Sequence, residues 1–167
     1  MTRRRVWPIV LIAAAVAVFV AAEAVSGSSG QARRTPGPAL PTQVLVPPAT
    51  TLAAVRGRPV VVNFWASWCG PCRQEAPQLA RLSRRLGSRA TLVGVDWNDA
   101  RASARAFIRR YGWTFSNLRD GNGEVGDRYR ISGLPTTFIL DGRGEIVRRL
   151  VGPQTADGVL RALASAA

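Results

Sequence analysis

The 167-residue sequence predicts an α/β domain with a central mixed sheet flanked by helices, on three observations. The run Val60-Val61-Val62, continued by Phe64, is β-branched and aromatic throughout, as expected of a strand buried on both faces. Cys69-Gly70-Pro71-Cys72 follows almost at once and opens a segment, Cys72 to Leu86, that sets Ala76, Leu79, Ala80, Leu82 and Leu86 on roughly one helical face. Farther on, Thr136 to Leu140 and Ile146 to Val151 flank Asp141-Gly142-Arg143-Gly144, a strong hairpin signal.

Taken in order, Arg3, Arg4 and Arg5 precede an uncharged run from Val6 to Ala22. Seventeen helical residues span about 26 Å, slightly short of a hydrocarbon core of about 30 Å, and Ala24 and Val25 extend the segment. Residues 1–25 are therefore expected to form a membrane anchor, with the basic N-terminus inside and the rest of the chain outside. Ala22-Glu23-Ala24 also resembles a signal-peptidase site, which would release a secreted protein. Residues 26–41, rich in Ser, Gly, Pro and Arg, read as a flexible tether. Residues 42–167 suffice for one domain. Within it, Gln43 to Val46 is expected as a short strand and Thr51 to Val55 as a turn or short helix. Thr91 to Val95 should be another buried strand and Ala100 to Tyr111 a helix. Gly123 to Tyr129 should be a short helix, and Thr155 to Ala164 the closing one.

Cys69 and Cys72 are the only cysteines, so any bridge within the chain joins these two neighbours. Closing so short a loop constrains the unfolded chain little, which makes reversible redox chemistry the better reason for the pair. Pro71 suits a first helical turn that needs no backbone donor, leaving Cys69 at the helix N-terminus. There the free amides and the positive end of the helix dipole stabilise a thiolate. Arg73 adds to this if its side chain turns back toward the sulfurs. Cys69 is then the attacking thiol and Cys72 the resolving one. A four-ligand zinc site needs further Cys or His ligands, and the chain has no histidine. Two thiolates could still hold Cu(I), so a copper-handling role stays open.

Trp68-Cys69-Gly70-Pro71-Cys72 after a hydrophobic strand, with Gly133-Leu134-Pro135-Thr136-Thr137-Phe138 far downstream, resembles the thioredoxin superfamily. The N-terminal apolar segment and Asn63-Phe64-Trp65-Ala66-Ser67-Trp68 bring it closer to the extracytoplasmic TlpA/ResA-like branch. The resemblance spans roughly Pro59 to Gln154. It implies a thioredoxin-like fold with a central insert and a shortened N-terminal hairpin. It also implies a cis Leu134–Pro135 bond beside the dithiol, where Trp68, Gly70, Pro71, Leu134 and Pro135 would form the substrate surface. Pro77 matches the proline that kinks the family's redox helix. Where cytosolic thioredoxins carry a buried Asp, this chain has Asn63. Glu75 instead matches an acidic position of the ResA-like branch: either it tunes the thiols and relays a proton, or it is an acid placed early in a helix for its dipole.

The resemblance further implies disulfide substrates such as apocytochrome c or copper-site cysteines of respiratory oxidase components. Electrons would come from a membrane thiol carrier of the CcdA/DsbD type, with no cofactor beyond the cysteine pair. Gly-Pro between the cysteines favours a reductant, while an oxidase of secreted thiols would run the same residues in reverse. A peroxiredoxin fits less well, because the sole cysteine pair is one Cys-Gly-Pro-Cys unit with no separate peroxidatic cysteine. The net charge of +13 invites a nucleic-acid reading. Yet the arginines are dispersed, no recognition motif accompanies them, and a solvated face or attraction to anionic lipid explains them better. A monomer without nucleic-acid partners is expected. Trp97, Trp113 and Phe115 are assigned to the core or a groove wall, and Asp96 and Asp99 to helix capping, with a metal site as the lesser alternative.

Overall fold

A computed structural model describes residues 34–165. The segment read as a membrane anchor lies outside them; among the described residues no helix is long and apolar enough to cross a membrane. Seven strands run as β1 (Thr35–Pro36), β2 (Gln43–Val46), β3 (Val60–Trp65), β4 (Thr91–Trp97), β5 (Ser116–Asp120), β6 (Thr136–Leu140) and β7 (Glu145–Val151). The helices are α1 (Gly70–Leu86), α2 (Arg101–Tyr111), α3 (Glu124–Arg128) and α4 (Ala156–Ala164). They build one mixed sheet in the order β1-β7-β6-β3-β4-β5-β2.

β3 sits at the centre, parallel to β4 and antiparallel to β6, and every residue of it is buried. Its side chains alternate between two cores, as the period of a strand requires. Val61 and Trp65 join the core beneath α1, α2 and α4, while Val60, Val62 and Phe64 join the core under α3 and the N-terminal segment. In the first, Trp65, Phe107, Trp113 and Phe115 form a chain of aromatic contacts with centroids 4.8–5.4 Å apart. Trp113 and Phe115 are thus core residues. On β4, a Cβ at position 94 would collide with the Asn117 amide and crowd the Trp65 indole, so Gly94 makes room for the Trp65 Nε1–Asn117 Oδ1 hydrogen bond of 3.1 Å.

The structure departs from the sequence reading in three places. The tether does not run to residue 41: Thr35 and Pro36 pair with Ile146 and Glu145, and Leu40 is buried. Tyr129 Oη donates to Pro38 O and Arg34 bonds Asp141. A Pro-rich composition hid this, because these contacts come from residues about a hundred positions away. Second, among the described residues the N-terminal strands form no hairpin: β1 and β2 lie on opposite edges of the sheet, β1 on β7 and β2 on β5. Third, β5 went unread because Ser-Asn-Leu-Arg-Asp lacks the β-branched signal, yet it pairs with both β4 and β2. The β6–β7 hairpin forms as its turn sequence predicts, with Asp141 Oδ1 accepting from the N–H groups of Arg143 and Glu145 and Gly144 at φ 82°.

Candidate active site

The loop from Ala66 to Cys69 carries the chain from the C-terminal end of β3 into α1. Cys69 caps that helix: its Sγ accepts the Cys72 N–H at 3.1 Å, and its own N–H bonds Ala66 O. The two sulfurs are joined as a disulfide, so the structure is that of the oxidised pair. A thiolate formed at Cys69 inherits this cap position, where helix amides favour negative charge. In the oxidised state Cys69 is only 4% and Cys72 2% exposed, both packed into the core beneath α1. Arg73 turns back as far as the Ser67 carbonyl, which its Nη1 meets at 3.1 Å.

What surrounds the pair differs residue by residue. Trp68 stands 54% exposed with its indole N–H on Asn98 O, Pro71 is exposed, and Gly70 is half-buried. The Leu134–Pro135 bond is cis. Because Thr136 pairs with Phe64, Pro135 lies level with the end of β3 from which the cysteine loop departs. Pro135 is itself buried and its carbonyl accepts from Gly152; Leu134 is half-buried and packs against the core that contains both cysteines. Among the described residues, the Leu134 N–H and C=O make no hydrogen bond. Val151, opposite Thr136 on β7, is 63% exposed. Its exposure is not legible in the sequence, since outward apolar residues on an edge-side strand carry no local signature.

Glu75 lies one turn beyond Cys72 and points inward. Its Oε2 accepts from Asn63 Nδ2 at 2.9 Å and its Oε1 from the Gln154 N–H at 3.0 Å. Asn63 also donates to Thr137 Oγ1 at 2.9 Å. Desolvation raises the Glu75 pKa to about 7, against the lowering pull of these two donors. The reading of Glu75 as an acid placed for the helix dipole therefore fails on geometry: the helix begins at Gly70, its first turn holds no acid, and Glu75 lies beyond the reach of the dipole's end. Asn63 occupies the buried-acid position as a hydrogen-bond donor to the acid on the facing helix. Sequence reasoning missed Gln154 and Thr137, which reach the site from strands and loops more than 60 residues downstream.

Asp99 accepts the Ala100 N–H at 2.7 Å and the Ser67 N–H at 2.6 Å, so it clamps the cysteine loop as well as leading into α2. Asp96 is no cap. It lies inside β4, fully buried, with both carboxyl oxygens unpartnered. No group of three or more His, Cys, Asp and Glu suited to a metal occurs among the described residues.

A cysteine pair at the start of the helix that follows the central strand, facing a cis-proline loop, defines a thioredoxin-fold protein with a redox-capable dithiol. Residues 40–149 match the AhpC/TSA family, and the chain belongs to it. It is 37% identical over 106 residues to the thiol:disulfide interchange protein HelX of Rhodobacter capsulatus, a match covering 63% of this chain and 58% of that protein. It is 32% identical over 105 residues to the thiol-disulfide oxidoreductase ResA of Bacillus subtilis, covering 62% and 59%. In both cases the match spans less than two thirds of the relative's length. Among solved structures, StoA from Bacillus subtilis superposes with a TM-score of 0.67 at 26% identity, covering 75% of this chain and 96% of that one. A thiol:disulfide interchange protein from Chlorobium tepidum superposes at 0.72 and 25%, covering 81% and 98%.

Proposed function

We propose that the protein is an exported thiol-disulfide oxidoreductase, held at the membrane by residues 1–25, that reduces disulfides in other exported proteins. The observation that carries this is the Cys69–Cys72 bridge at the N-terminus of α1, flanked by Leu134, whose peptide groups make no hydrogen bond among the described residues, and by the exposed Trp68. The names of the relatives, a thiol:disulfide interchange protein for HelX and a thiol-disulfide oxidoreductase for ResA, support the reaction class. In the reduced protein, the Cys69 thiolate attacks a substrate disulfide, forming a mixed disulfide and releasing one substrate thiolate, which takes up a proton. Cys72 gives its proton to a base and attacks Cys69 Sγ, releasing the second substrate thiol and closing the bridge. Two electrons pass to the substrate. The free Leu134 N–H and C=O suit an extended substrate backbone, and Glu75 is the acid nearest along α1 to take the Cys72 proton.

Substrates of the apocytochrome c type, and a membrane thiol carrier of the CcdA/DsbD type as electron donor, complete the proposal. The two cysteines form a single Cys-Gly-Pro-Cys unit, which suits disulfide exchange better than peroxide reduction. The test is disulfide reduction of a model protein with dithiothreitol as electron source. Wild type should be active, Cys69→Ser inactive, and Cys72→Ser should accumulate a covalent mixed disulfide through Cys69. Tight Cu(I) binding with no reductase activity would instead make it a copper carrier.

A further inference from the structure

Asp96 has no role in the chemistry above, yet it is the most anomalous polar side chain in the fold. It is fully buried, and neither carboxyl oxygen has a hydrogen-bond partner among donors of the described residues. An ionised carboxylate left so is very costly. The group within hydrogen-bonding reach is the Asp99 carboxyl. Two carboxylates repel; two carboxyls with one proton between them bond.

The surrounding charges leave that solution open. β3 offers only the uncharged Trp65 at the paired position, and its indole is committed to Asn117. On β5, Arg119 pairs with Asp96 in register, but its guanidinium bonds Asp99 O and Gln43 Oε1, and its Nε is buried without a partner. Asp120, also on β5, adds negative charge while accepting from Val125 and Gly126. From α2, Arg101 goes to Gln43; on α1, Glu75 is held by Asn63 and Gln154, and Arg73 by Ser67 O.

We propose that Asp96 and Asp99 form a carboxyl pair sharing one proton, donated by Asp96, and that this pair positions the Ser67–Cys69 loop. Asp99 transmits the effect, because its Oδ2 accepts the Ser67 N–H two residues before the attacking cysteine. A second bridge between the same two connections, Trp68 Nε1 to Asn98 O, lies beside it. With the proton in place, Asp99 is held against both Asp96 and Ser67. When the proton leaves, the two carboxylates repel and the hold on Ser67 weakens. The inference rests on Cys69 as the attacking thiol, and its readouts do not require reductase activity.

The variants Asp96→Asn and Asp96→Leu decide the matter, made in the full chain on a Glu75→Gln background so that the Glu75 proton does not contribute. Asparagine still donates to Asp99 but cannot ionise; leucine fills the space without donating. In the oxidised protein at pH 6, the infrared carbonyl band of a protonated carboxyl should be present and should disappear in Asp96→Asn. The Ser67 amide resonance should titrate between pH 6 and 9 in the parent and stay flat in Asp96→Asn. Alkylation of Cys69 in the reduced protein should match in parent and Asp96→Asn at pH 6. At pH 9 the parent should be slower by about threefold, as a new like charge beside the loop dictates, and Asp96→Leu should depart from the parent already at pH 6. If Asp96→Asn loses no carboxyl band, or if the Ser67 amide and the alkylation rates follow the parent at both pH values, the shared proton does not exist.

Discussion

A carboxyl group that accepts two buried hydrogen bonds is drawn toward its charged form by the donors and toward its neutral form by the loss of water. For Glu75, loss of water prevails and the group titrates near pH 7. Above that pH it is a base one helical turn from Cys72; below it, it is an acid. The resolving step should therefore quicken as pH rises through about 7. Glu75→Gln should remove that limb and slow resolution at pH 8 by about tenfold or more, read from decay of the mixed disulfide in stopped flow. An unchanged pH profile would return Glu75 to a packing role. The cysteines, Glu75 and Leu134-Pro135 were legible in the sequence because their signals are local or rest on short motifs. Asn63's bonds to Glu75 and Thr137, and Gln154's to Glu75, were not, since sheet register and a distant loop bring these residues together.

At the scale of elements, α1 was read almost to the residue, and its start moved only from Cys72 to Gly70 because the capping sulfur belongs to Cys69. Strand β3 was equally plain, since burial on both faces demands a continuous apolar run. Strand β5 and the N-terminal crossing were opaque for the opposite reason. Ser116, Asn117 and Asp120 are buried by bonding to Pro48, Trp65 and the start of α3 rather than by being apolar. The crossing segment is fixed by single long-range contacts, of which Tyr129 Oη to Pro38 O at 2.8 Å is one. Tyr129→Phe should cost about 1 kcal/mol in urea unfolding and leave disulfide exchange unchanged. A neutral result would mean that this bond adds nothing to the hold on residues 34–41.

For the molecule as a whole, two buried acids set how stability follows pH. Glu75 rises from 4.5 to about 7 on folding and Asp96 from 3.8 to about 8, so between those limits the folded protein holds protons that the unfolded chain has released. Their contribution is complete below about pH 4 and is lost as pH rises through 7 and 8, at about 1.4 kcal/mol per pH unit for each group. Asp141 and Asp157 are shifted downward and act in the other sense. Each bonds an arginine at the surface, and hydrogen bonds to Asp141 outweigh its desolvation; exposed pairs of this kind contribute little. The oxidised protein should melt at a higher temperature at pH 5 than at pH 8, and the Glu75→Gln/Asp96→Asn double variant should flatten that slope. A melting temperature that rises over the same interval would contradict both assignments.

Whether Cys69 and Cys72 work as an exported reductant is decided by the equilibrium reduction potential of the pair against defined thiol buffers, followed by the fluorescence of Trp65 and Trp68. The Gly-Pro spacing predicts a value below about −250 mV, in the range of reducing thioredoxins. A value above about −180 mV would contradict it, making the protein an oxidase or isomerase of secreted thiols.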